Sequence, residues 1–450
     1  MQSTVYFYGG AGAVTGSNFL LDTGGGKYLV DCGLRQGLDE AANWEPFAYD
    51  PAGISHLVIT HAHLDHIGKI PKLVKDGFAG VIISTTATKA LAEPILRDAL
   101  EILTRNAEHH GRPVLYDATH IAAAMRLWRG IGYHEKVPLP DGVELQLLDA
   151  GHILGSAMAH FERGGKTIVF TGDLGGGNSP LLKPTEEVHP TYMVMESTYG
   201  DKTRPEDAER FERLENVIED AVARGGTLLI PAFSTERTQD LLFEIRKLML
   251  EGRVPEVPVY LDSPLAEKIT HAYMAHPEYF ADDIRARIEG GEAIFTFPNL
   301  HYMQDADESR KLDSNPASKI ILAGSGMSSG GRGLAHERQY LPDKNSTLLI
   351  VGFQAVGTIG RRLIEGAKTL QLYKEKVPVR AKVETLYGYS AHRDSESLLE
   401  FVNKAADSVQ EVFLVHGEPA SSMFLAQRIR DYLGLKATVP ELGQAAVIEL

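Results

Sequence analysis

The stretch HAHLDH, residues 61–66, sets three histidines and an aspartate in six positions, directly after the apolar run HLVIT. His61 and His63 alternate, so in an extended segment their imidazoles point the same way. Asp65 and His66 follow past a bend and can face a second point. Imidazole nitrogen and carboxylate oxygen suit zinc, and a catalytic zinc site keeps one position for water. A histidine-rich polar loop needs no further partners, whereas a metal centre does. Three further residues stand at the ends of apolar runs beside a glycine: His152 after ELQLLDAG, Asp173 after KTIVFTG and His416 after EVFLV. Ligands fixed on strand ends of one scaffold can converge on a point. We assign His61, His63 and His152 to one ion, Asp65, His66 and His416 to a second, and Asp173 to a bridge between them. The expected cofactor is therefore two zinc ions. Ions roughly 3.5–4 Å apart can share a hydroxide and clamp a phosphodiester.

The elements that would carry these residues are legible as a change of texture. The first half reads as short strands separated by turns, such as TVYFYG, SNFLLD and KYLVDCG, with one long helical pattern after GVIIST. From about Thr203 helices and strands alternate. PEDAERFERLENVIEDAVARGG precedes TLLIPAF, and TERTQDLLFEIRKLMLEG precedes VPVYLDS, which is the order of a mainly parallel α/β sheet. Strand EVFLVHG and helix PASSMFLAQRIRDYLG return to the earlier style.

Composition narrows the class. At 450 residues the chain is too long for one ordinary core and fits two domains. No run approaches a membrane span, and the N-terminus lacks a signal core, so the expected compartment is the cytoplasm, with no membrane partner. The single cysteine, Cys32, excludes an intramolecular disulfide and any zinc site built on two cysteines. A net charge of −15 argues mildly against a general nucleic-acid binder, although a few local cations can still line a positive cleft.

The motifs THAHLDHIGKIP, GHILGSA and TGDLG resemble the metallo-β-lactamase superfamily in its dinuclear hydrolytic form. MESTYGD, GYSAHRD and LVHGE resemble the three extra motifs of its β-CASP branch, nucleases related to the cleavage-and-polyadenylation endonuclease subunit and to ribonuclease J. LDSPLA, GSGMSSGGR and GFQAVGTIGRRL resemble the inserted domain of that branch. The resemblance implies an α/β protein: a metallo-β-lactamase αββα sandwich over residues 1–202 and 386–450, with an inserted α/β β-CASP domain over 203–385. It implies Glu196 and His392 as catalytic residues beside Asp65, His392 meeting the scissile phosphate or the leaving oxygen. Ser325 and Arg332 of GSGMSSGGR, Arg237 of FSTERTQ and Ser390 of GYSAHRD are the expected substrate-binding residues. Arg361 and Arg362 could also line the cleft.

The function so implied is a zinc-dependent ribonuclease, endonucleolytic, leaving 5′-phosphate and 3′-hydroxyl ends. Its alternative is a hydrolase of the same fold acting on DNA or on a small ester or thioester. The expected partner is single-stranded RNA entering a cleft between the domains. The oligomeric state is left open, with a homodimer as one option. The short flanks before His61 and after His416 resemble the compact bacterial members of the branch.

Overall fold

A computed structural model describes residues 1–203, 209–312, 315–328, 330–352, 354 and 357–450. Parts of PEDAERFERLENVIEDAVARGG, GSGMSSGGR and GFQAVGTIGRRL lie outside the described residues. Two compact units emerge: Met1–Gly177, Leu182–Thr203 and Ala391–Leu450 form one, and Asn178–Leu181 with Arg204–Ser390 form the other. Among the described residues no helix is long and apolar enough to cross a membrane.

The first unit holds two seven-stranded sheets. One runs in the order Ala445–Glu449, Gln2–Gly9, Asn18–Asp22, Lys27–Val30, His56–Val58, Val81–Thr85, Trp128–Ile131. The other runs Lys436–Thr438, Glu411–Val415, Tyr192–Glu196, Lys166–Phe170, Ala157–Arg163, Glu144–Asp149, Val137–Pro138. Each sheet is antiparallel on one side and parallel on the other. Strand periodicity explains the layers. Phe413 and Val415 join Phe7, Phe19 and Phe170 in the core between the sheets, while Val412 and Leu414 join Leu398, Phe401, Leu425 and Ile429 on the outer side. A strand buried on both faces reads as the unbroken apolar run EVFLV. The helix Thr86–His110 covers the other sheet, opened by the Thr85 side chain, which accepts from Thr88 N. The result is the αββα sandwich.

The second unit is built on a six-stranded sheet in which every neighbouring pair is parallel. Its strands follow the order Leu300–Tyr302, Val259–Asp262, Lys319–Ala323, Thr227–Pro231, Thr347–Ile350, Lys382–Thr385. Residues 386–390, which the sequence reading groups with the closing segment, belong to this unit. Their anchor is Tyr389, whose hydroxyl donates to Glu244 and whose ring lies 4.5 Å from the Arg210 guanidinium.

In the first unit the chain leaves Val30, Val58, Phe170 and Val415 at strand ends, and the loops beyond them lace together. Ser17 N donates to Asp65 O at 2.9 Å, Gly33 N to Ser17 O at 3.0 Å and Leu34 N to Leu64 O at 2.9 Å. Gly33 permits this because any Cβ there would lie 1.6 Å from the Asp65 carbonyl oxygen. Gly33→Ala should therefore push the Asp65 segment outward. A loss of about 1–3 kcal/mol is expected, as for other overpacked sites, together with weaker metal uptake. Calorimetry and metal titration check this, and an unchanged melting curve would mean that the loop yields freely.

Candidate metal centre

His63 is extended, with φ −69° and ψ 149°, and caps the short helix Leu64–Ile67 that carries Asp65 and His66. The histidine pair and the Asp65–His66 pair therefore leave the backbone in different directions. Asp173 lies between them, buried, and its two oxygens face different groups. Oδ2 is 3.4 Å from His61 Nε2 and 3.5 Å from His152 Nε2. Oδ1 is 3.3 Å from His66 Nε2 and 3.5 Å from His416 Nε2. His63 Nδ1 completes the first group, 3.0 Å from His61 Nε2, and Asp65 Oδ2 the second, 3.6 Å from His416 Nε2. Three groups that could hold a metal ion result: His61, His63, His152 and Asp173; Asp65, His66 and His416; and Asp173 with Glu196 and His392.

Three of the histidines are oriented by a contact at Nδ1. Asp31 Oδ2 accepts from His66 Nδ1 at 2.7 Å and from the Thr60 hydroxyl at 2.8 Å. Thr60 Oγ1, its proton spent on Asp31, then accepts from His61 Nδ1 at 3.1 Å. Ser17 Oγ lies 2.8 Å from His416 Nδ1. With Nδ1 so engaged, the Nε2 of each of these three rings is the nitrogen that faces the centre. His66 Nε2 and Asp173 Oδ1 are buried without a hydrogen-bond partner among the described residues. Buried polar atoms without a partner are costly, and a cation resolves both at once. The donor set, imidazole nitrogens around two carboxylates, fits zinc.

Electrostatics point the same way. Burial holds His61 and His152 well below the ordinary histidine range and His63 at about 4, so all three are neutral donors. His66 differs: burial disfavours its charge, but Asp173 and Asp31 outweigh it and hold the group well above its ordinary value, so the ring carries a proton that a bound cation would displace. Asp173 stays ionised against the cost of burial because His416, His66 and His61 surround it.

His392 meets the same centre from a different segment. Its Nδ1 is 3.0 Å from Glu196 Oε2, and its Nε2 is 4.0 Å from Asp173 Oδ2. Glu196 is fixed in turn by Leu174 N, which donates to Oε1 at 2.6 Å. The His392 turn is tied to the loop after Asp173: Gly176 N donates to Ala391 O at 2.7 Å and Arg393 N to Leu174 O at 3.1 Å. Tyr199 lies edge-on to the His392 ring at 5.8 Å.

The residues read from the sequence as substrate-binding, Ser325, Arg332, Arg237 and Ser390, fall in the second unit. Arg332 spends its guanidinium within that unit, donating to Asp262 at 2.6 Å, Met303 O at 2.8 Å and Gln304 O at 3.0 Å. Arg237 donates to Tyr389 O at 3.1 Å over the Phe233 ring. Arg361 pairs with Glu365 at 2.7 Å. Sequence reading missed Asp31, Thr60 and Ser17. The signal for Asp31 was present: it ends the run KYLVD as Asp173 ends KTIVFTGD. Asp31 at φ 58° and His416 at φ 48° both adopt the left-handed region, a strain that concentrates at functional sites.

Comparison with known proteins places the chain in a family. Residues 11–232 match the metallo-β-lactamase superfamily, 238–363 the Beta-Casp domain, and 376–440 the Zn-dependent metallo-hydrolase RNA specificity domain. The chain is 34% identical over 423 residues to Ribonuclease TTHA0252 of Thermus thermophilus, covering 93% of this chain and 94% of that protein. It is 32% identical to transcription termination factor FttA of Methanosarcina mazei, covering 98% of this chain and 71% of that one. A crystal structure of a protein of unknown function from Enterococcus faecalis shares the fold, with a TM-score of 0.61 over all of both chains at 13% identity. The chain belongs to the β-CASP family of the metallo-β-lactamase superfamily.

Because Asp31 orients His66, Asp31→Asn should weaken metal affinity about 10–100-fold while leaving the fold intact. Competition with a chelator measures this; an unchanged affinity would make Asp31 a structural residue only.

Proposed function

We propose that the protein is a zinc-dependent ribonuclease that holds two zinc ions and cuts single-stranded RNA endonucleolytically. The observation that carries this reading is the Asp173 carboxylate, one oxygen turned to each ligand group, with the His392–Glu196 pair at its side. His61, His63 and His152 would hold one ion, Asp65, His66 and His416 the other, and Asp173 both. When bound, such a pair supplies Lewis-acid polarisation of the scissile phosphate and a nucleophile at neutral pH.

The chain's own residues do the rest. Glu196 accepts from His392 Nδ1 and fixes the ring, leaving Nε2 to face the centre. From there Nε2 donates a proton to the 3′ oxygen as it leaves, which gives 5′-phosphate and 3′-hydroxyl ends. Asp31, Thr60 and Ser17 keep the histidines oriented so that no reorganisation is needed during the reaction. The Zn-dependent metallo-hydrolase RNA specificity match over residues 376–440, which include His392 and His416, supports RNA as the substrate.

Zinc-loaded protein should cleave labelled single-stranded RNA faster than duplex and leave 5′-phosphate ends on the downstream product. Failure on RNA with turnover of a small ester would contradict the reading. His392→Ala should retain its metal and its RNA affinity while turnover falls roughly 10²–10⁴-fold. Glu196→Gln should give a smaller loss, and the double variant should be little worse than His392→Ala because the two act as a unit. Metal loss in His392→Ala would instead make His392 a ligand.

A further inference from the structure

Beside the metal centre, but outside it, three aromatic rings of the first unit form a row. Tyr8 and Tyr49 have centroids 5.2 Å apart, and Tyr49 and Phe47 are 5.3 Å apart. All three are partly exposed. Cations flank the row at both ends. Arg35 reaches the Tyr8 carbonyl at 3.4 Å, where the register of the first strand slips between Phe7 and Gly9. Lys69 and Lys72 stand over the Phe47 ring at 5.4 and 4.4 Å.

Only one of these cations is neutralised. Lys72 pairs with Asp76 at 2.5 Å, whereas Arg35 and Lys69 make no ion pair with any described residue. Lys69 is held below the ordinary lysine range by burial, with Arg35 and Lys72 adding to the effect against Cys32 and Glu45. Like charges gathered beside apolar rings repel, Glu45 offsets this only in part at Lys69, and an anion would offset it further.

The row is joined to the metal ligands by short paths. Lys69 lies one turn beyond His66, and its N donates to Cys32 O at 2.8 Å. Tyr49 Oη accepts from Asn18 Nδ2 at 3.2 Å, and the neighbouring Ser17 is the contact of His416. The row therefore stands on the same interlinked loops that carry His66 and the contact of His416.

We propose that Arg35, Lys69 and the Phe47–Tyr49–Tyr8 row form a subsite for single-stranded RNA flanking the scissile bond, the cations meeting phosphates and the rings meeting bases. Cationic grooves with aromatic platforms are the usual means of gripping unpaired strands. The inference rests on the ribonuclease reading and extends it to residues not assigned to binding above.

The test is binding of a fluorescent phosphorothioate single-stranded RNA to zinc-loaded protein across a salt series. Arg35→Gln and Lys69→Gln should each lower the log–log salt slope by about 0.7, and the pair by about 1.4. Phe47→Ala should weaken binding about 5–150-fold, and Phe47→Trp should preserve it. Lys436→Gln, at a distant strand edge paired with Glu411, should change neither quantity. Wild-type slope and affinity in the Arg35/Lys69 double variant, with the native protein still cutting RNA, would overturn the subsite and leave the ribonuclease reading standing. A native protein that binds no RNA would overturn both.

Discussion

A single buried carboxylate shared between two sets of histidines is the constraint on which this molecule turns. Asp173 sits within 3.5 Å of four imidazole nitrogens, and burial alone would neutralise it. It remains charged because the histidines converge on it, and they converge because separate strand ends are locked in position. Without Asp173 the two groups of imidazoles would have no common partner.

The sandwich supplies that locking. Ligand loops leave the carboxyl ends of strands in both sheets, where open α/β architectures gather their chemistry. Around them a second tier of side chains, Asp31, Thr60 and Ser17, orients His66, His61 and His416. Strain is tolerated in the same places, since Asp31 and His416 both hold left-handed backbone. Glu196 extends the scheme by one layer, since it is buried, held by Leu174 N, and holds His392.

The cluster of histidines and aspartates was readable because dense histidine spacing and strand-end aspartates are rare outside metal sites. Asp31 was not distinguished, since an aspartate closing an apolar strand is also an ordinary turn residue. Only the fold brings it to His66, thirty-five positions away. Arg332 illustrates the reverse case. Its motif suggested substrate binding, and the fold sets its guanidinium against the buried Asp262 carboxylate, seventy positions away. The parallel sheet of the second unit followed from its alternating helices and strands. The membership of residues 386–390 did not, because it depends on where the Tyr389 hydroxyl finds its partner.

The most direct test of a shared Asp173 is anomalous X-ray diffraction from zinc-loaded crystals at the zinc absorption edge. Two peaks roughly 3.5–4 Å apart are expected, one beside His61 and His152 and the other beside His66 and His416, with Asp173 bound to both. A single peak, or two peaks of which only one touches Asp173, would contradict the bridge.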